Sequence, residues 1–155
     1  MKTIKLEFKG YRREINKASL EDRAGIYCVY AGTYNSETDS VKPQQLLYIG
    51  ETTSIQERIG GDKHEHLEDW KNALKFGQIL MYTRAFVSDE ADRIRAEAAL
   101  IYHCQPPIND SGKDGFHHPD TEMLITGKHD FIDSNFIVHN TDNTLSMASW
   151  FLHSG

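Results

Sequence analysis

The chain has 155 residues, 39% hydrophobic and 26% charged, which suits one globular domain with its own core and argues against wholesale disorder. No apolar run approaches the ~18 residues of a membrane span, and MKTIKLEFKG lacks the apolar h-region of a signal peptide, so no membrane contact is expected. A net charge of −6 and a pI of about 5.7 speak against a nucleic-acid partner on their face, since phosphate binding usually leaves a basic footprint.

The N-terminus departs from that balance. Residues 1–17 carry six basic side chains (Lys2, Lys5, Lys9, Arg12, Arg13, Lys17) against Glu7 and Glu14. An anionic partner would meet local positive charge there; the plainer alternative is a solvated basic strand. KTIKLEF, residues 2–8, alternates Ile4, Leu6 and Phe8 against Lys5 and Glu7, a half-buried strand. GIYCVYAG, residues 25–32, is β-branched and aromatic and predicts a second strand. TYNSETDSVKPQQ, residues 33–45, is polar and turn-rich and predicts a long loop, either a substrate-facing insertion or a plain connection. LLYIG, residues 46–50, predicts the strand that closes this antiparallel hairpin.

A short helix is expected next. Ser54 stands three residues before Glu57 at capping-box spacing, with Ile55 and Ile59 on one face. Gly60-Gly61 ends it. HLEDWKNALKFG places Leu67, Trp70 and Leu74 on one helical face and closes at Gly77. QILMYTRAFV, residues 78–87, predicts a third central strand. Ser88 is the expected N-cap of a helix over DEADRIRAEAALIYHC, which stops before Pro106-Pro107. Past Ser111 the composition shifts. EMLIT and DFIDSNFIVHN predict two late strands, and TLSMASWFL a last short strand or helix. The order implies an α+β fold: a small central three-stranded antiparallel sheet flanked by helices, with an extra N-terminal strand and C-terminal strands. The whole chain, 1–155, reads as a single domain.

Cys28 and Cys104 are too few for a disulfide framework, so a reduced, intracellular and cytoplasmic protein is expected. The eight histidines include no H-x₃-H pair, and no C-x-x-C is present, so no zinc site is expected. Four polar residues stand where a bland one would serve: Tyr27 and Tyr48, each beside a glycine-bearing strand end, Arg58 on the short helix, and Glu97 in the alanine-rich RAEAALI. A buried carboxylate costs several kcal/mol unless it is paired or binds a cation. One carboxylate plus waters suits Mg²⁺. An arginine fork can grip a phosphate and stabilise developing charge. A tyrosine hydroxyl can orient water, or deprotonate it if its pKa of ~10 is strongly lowered. Together they spell metal-assisted phosphodiester hydrolysis. The plainer alternative pairs Glu97 with an arginine such as Arg93 and leaves the tyrosines as ordinary strand residues.

Gly25-Ile26-Tyr27 followed by Tyr48-Ile49-Gly50 resembles the signature of the GIY-YIG nuclease family. Gly50-Glu51-Thr52 is similar to the family's small-residue turn, Arg58 to its helix arginine, Glu97 to its metal-binding glutamate, and Pro107-Ile108-Asn109 to its closing element. The resemblance covers residues 24–110, leaving 1–23 as a basic N-terminal extension and 111–155 as a C-terminal one. It implies hydrolysis of DNA with a single Mg²⁺ or Mn²⁺ ligated by Glu97. Tyr27 would act as general base or position the water, Tyr48 would bond the water or phosphate, and Arg58 would hold the phosphate. Gly50, Thr52 and Asn109 would lie beside the substrate, with Asn109 chiefly supporting the fold. The family often carries His or Tyr about four residues past the arginine. Here that position is Asp62, and a bulge at Gly60-Gly61 would bring His64 into the role; otherwise HEH is a solvated helix start. A homodimer or a recognition partner is expected to supply specificity. The alternative is a non-catalytic DNA-binding or assembly module, which the acidic charge favours.

Overall fold

The structure, a computed structural model, describes residues 1–142; the element expected over TLSMASWFL, residues 144–152, lies outside the described residues. Alternation in the N-terminal segment builds β1, Lys2–Arg13, which buries Ile4, Leu6 and Phe8. A 3₁₀ helix, Glu14–Ser19, follows. Next come β2 (Gly25–Asn35) and β3 (Ser40–Thr52), then helices α1 (Ile55–Ile59) and α2 (Leu67–Asn72). Then follow β4 (Ile79–Phe86), α3 (Glu90–Cys104), β5 (Thr121–Gly127) and β6 (Asn135–Val138).

The expected three-stranded sheet flanked by helices is corrected by this topology. All six strands form one mixed sheet, curled like half a barrel, in the order β3-β2-β4-β1-β5-β6. Only short helices accompany it, and the fold is mostly β. β1 is no appendage. It pairs antiparallel with β4 through Lys9–Arg13 and parallel with β5 through Lys2–Phe8. Local alternation marks a strand and its buried face, but a strand's partners are set by long-range burial.

The long loop expected over residues 33–45 is also absent. β2 and β3 continue through Tyr34↔Val41 to Asn35↔Ser40, and a tight turn joins them. Asn35 Oδ1 accepts the Glu37 amide at 2.9 Å, an Asx turn. Pro43, which lacks an amide hydrogen, is tolerated because β3 is an edge strand. α2 is shorter than its pattern, and α3 is capped by Asp89, whose carboxylate accepts the Asp92 amide, in place of Ser88. α3 ends on Gln105 in the left-handed region, just before Pro106.

Strand β2 is buried on both faces. Ile26, Cys28 and Tyr30 face a core shared with β1, α3 and β5. Tyr27, Val29 and Ala31 face a second core with Leu47, Ile55, Ile59, Leu67 and Trp70. α3 thus covers one face, and α1 and α2 cover the other. No described helix is long and apolar enough to cross a membrane. Cys28 is buried and Cys104 partly so, both as free thiols.

Candidate functional site

The second core delivers most of the cluster. Tyr27 on β2 is 1% exposed. Its ring lies 6.2 Å from that of Tyr48 on β3, with planes 25° apart. Gly50 makes this possible, because a Cβ there would lie 2.3 Å from the Tyr27 Cζ and hydroxyl. The helix α1 starts at Ser54, whose hydroxyl accepts the Glu57 amide at 3.2 Å. The returning arm of the expected capping box is supplied by Thr52, not Glu57: Thr52 Oγ1 accepts the Ser54 amide and donates to its carbonyl. The loop after the 3₁₀ helix holds α1 from behind, as the carbonyls of Glu21 and Arg23 accept the Gln56 and Ile55 amides. Glu21 is itself fixed by a two-pronged bond from Arg84 at 3.0 and 2.9 Å. That scaffold aims Arg58 at the tyrosines.

Past Gly60-Gly61 the chain turns so that Asp62 and His64 part company. Asp62 is exposed and accepts from the buried Lys17 ammonium at 3.1 Å, which also bonds Glu14 at 3.0 Å. His64 is buried, and its Nε2 lies 2.7 Å from the Tyr27 hydroxyl. The His66 amide donates to His64 Nδ1 at 3.0 Å. A neutral imidazole has one acceptor nitrogen and one donor. With Nδ1 accepting, the proton sits on Nε2, and His64 donates to the Tyr27 oxygen. Burial, then the nearby Arg58 charge, depress the His64 pKa to about 4, which keeps that neutral tautomer at neutral pH. Trp70 packs on His64 at 4.3 Å between centroids and on Tyr48 at 5.4 Å.

Arg58 reaches the Tyr27 hydroxyl and bonds Glu65 Oε1 at 2.5 Å. The Glu65 bond raises the guanidinium pKa further, so it stays charged, and pulls the Glu65 pKa down to about 2. Burial lifts the Tyr27 phenol well above its ordinary pKa, although Arg58 opposes the shift. Tyr48 is raised by burial and then by the charges of Glu65 and Glu97. Both phenols therefore keep their protons at neutral pH in the protein alone.

Glu97 stands on α3, which packs against β3, and its near neighbour is Glu51 on that strand. On β3, Tyr48 and Gly50 face α1 and α2, whereas Ile49 packs toward α3. Glu97 is half-buried, and its charge acts on both tyrosines. Its pKa is raised to about 7 by burial and then by Glu51, partly offset by the Glu51 amide. Arg93 does not pair with it. The Arg93 guanidinium bonds Glu51 Oε2 at 2.7 Å and the Val87 carbonyl at 3.2 Å. Among the described residues no Lys, Arg or His lies within ion-pair distance of Glu97. A sheltered carboxylate without a cationic partner fits a divalent cation. No three His, Cys, Asp or Glu converge as a full ligand set among the described residues, so water would complete the shell, as Mg²⁺ favours.

Gly50 and Thr52 lie beside the cluster, but each is occupied as described. Asn109 uses both ends of its amide on one residue of β3, accepting the Ile49 amide at 3.0 Å and donating to its carbonyl at 2.9 Å. Glu51 and Trp70, which the sequence placed only in a turn and on a helical face, and Glu65, which it gave no role, are the further neighbours of the site. Glu51 had a signal, since it directly follows the Tyr48-Ile49-Gly50 triplet. Glu65 had none, because its importance comes from where the glycine break aims it. No family model, curated protein or solved structure matches the chain, so the reading of this site stands on its own residues.

Proposed function

We propose that the protein is a DNA endonuclease of the GIY-YIG type, hydrolysing phosphodiester bonds with one Mg²⁺ or Mn²⁺. The observation that supports the reading is the clustering of Tyr27, Tyr48, Arg58 and His64, together with Glu97, a sheltered carboxylate whose charge is felt at both tyrosines and which no cation among the described residues neutralises. Glu97 would hold the metal, which supplies positive charge to a phosphoryl oxygen. Arg58 would hold the scissile phosphate and counter the charge that grows on it. His64 Nε2–H donates to the Tyr27 oxygen, and the nearby Arg58 charge works against the rise of its pKa; a donor and a cation both favour the phenolate that a base must become. Once its own proton has passed to solvent, the Tyr27 phenolate would take a proton from the attacking water as the water oxygen bonds to phosphorus; the bond from phosphorus to the ester oxygen breaks, and the departing alkoxide takes a proton from bulk water. Tyr48 orients the water or the phosphate. One such site cuts one strand, so duplex scission calls for a second copy or a recognition partner.

Purified protein incubated with supercoiled plasmid and Mg²⁺ or Mn²⁺ is expected to nick it. Arg58→Ala should slow nicking about 10²–10³-fold, the usual loss for one charge-stabilising donor, and Glu97→Ala should abolish it. Nicking that survives Glu97→Ala would overturn the metal assignment. The net charge of −6 favours a second reading, a DNA-binding module without catalysis. DNA binding with no cleavage of duplex, branched or single-stranded substrates would select it.

A further inference from the structure

We infer that Glu65 occupies the phosphate-holding face of Arg58 and sets how tightly that face takes an oxyanion, an inference that rests on the phosphate role proposed for Arg58. The guanidinium has two neighbours of different kinds. One is the buried Tyr27 hydroxyl; the other is the Glu65 carboxylate, 2.5 Å from Nη2 and 59% exposed at its side chain. Glu65 therefore takes the open side of Arg58, the side a substrate approaches. Its second oxygen lies 3.8 Å from His64 Nδ1, and its charge is felt at Tyr48. The carboxylate thus lies between Arg58 and the His64 ring, near enough to Tyr48 for its charge to act there. A phosphate held by Arg58 beside the tyrosines would meet the same groups.

A carboxylate and a phosphate monoanion both match the planar fork of arginine. They cannot share its face, because the two anions repel. A phosphate must displace Glu65, which can swing into water because it hangs on an exposed loop position. This would let an acidic protein hold a charged arginine ready without gripping every passing anion.

The sign of one substitution separates this role from a structural one. Inorganic phosphate, without metal, is titrated into the wild type, Glu65→Gln and the double variant Glu65→Gln/Arg58→Ala, following backbone and Arg58 Nε–H resonances by NMR. If Glu65 competes, Glu65→Gln should bind phosphate about two- to fivefold more tightly, the range expected for freeing a partly exposed ion pair. The double variant should lose the gain. Binding that is unchanged or weaker in Glu65→Gln overturns the inference, since it makes Glu65 a prop for Arg58 or a bystander. The same series against a short DNA duplex separates the two readings. Tighter phosphate with no DNA binding by any variant leaves Glu65 a competitor and removes the nuclease.

Discussion

At Gly50 the space a side chain would fill is taken by Tyr27, 2.3 Å from an ideal Cβ. Gly50→Ala should therefore cost about 1–3 kcal/mol of stability in urea unfolding, the usual toll of overpacking. It should also push Tyr27 off His64, breaking the 2.7 Å contact between them, which shifted His64 ring resonances would show by NMR. Glu97 carries a pH prediction. Its folded pKa, about 7, lies above the unfolded value, so the fold favours the neutral carboxyl. Between about 4.5 and 7 the native state holds the extra proton, and stability from this group falls as pH rises through that window. A divalent cation needs the carboxylate, so Mg²⁺ affinity should climb about tenfold per pH unit below 7 and level off above. Glu97→Gln should flatten both trends, read by thermal unfolding and metal titration across pH 5–9. The types of these residues were visible in the chain. Their states were not, because burial and neighbours set the protonation of His64 and Glu97.

At the scale of elements, Asn109 ties the segment after α3 to β3. Asn109→Ala would strip the Ile49 amide and carbonyl of their partners on the sheet's outer edge. The expected loss is about 2–4 kcal/mol, from two buried backbone groups left unpaired; a calorimetric melting point unchanged within error would rule this out. The elements themselves were largely legible. KTIKLEF, GIYCVYAG and LLYIG lie in strands, β4 takes all of QILMYTRAFV but Gln78 and Val87, and Ser54 caps α1 as its spacing suggested. The polar stretch 33–45 misled because composition marks turns, whereas Thr33, Tyr34, Val41 and Lys42 are held extended by pairing across the hairpin. Helix α2 stopped short of its pattern for the same kind of reason, since periodicity predicts a face and not the length a tertiary site can hold.

For the molecule as a whole, the six-stranded sheet makes residues 1–23 part of the site's foundation. β1 lies between β4 and β5, Lys17 reaches Asp62, and the Glu21 and Arg23 carbonyls hold α1. A fragment spanning 24–110 would expose the apolar face that Ile4, Leu6 and Phe8 cover. It should fail to give a cooperative unfolding transition, whereas residues 1–142 should give one. A cooperative, native-like 24–110 fragment would show that the motif-bearing core folds without its neighbours.

Sequence alone determined the candidates: two tyrosines on strands, an arginine on a capped helix, and a glutamate among alanines. Those follow from local rules, from side-chain period and capping chemistry to the poor fit of a charge in an apolar stretch. Tertiary structure decided everything that depends on who meets whom. It wove β1 and β5 into one sheet and gave Arg93 to Glu51, leaving Glu97 without a cation among the described residues. It also turned His64 onto Tyr27 and set Glu65 against Arg58. The physical reason is that these pairings join residues far apart in the chain, and long-range burial and charge, which no local window contains, choose among them.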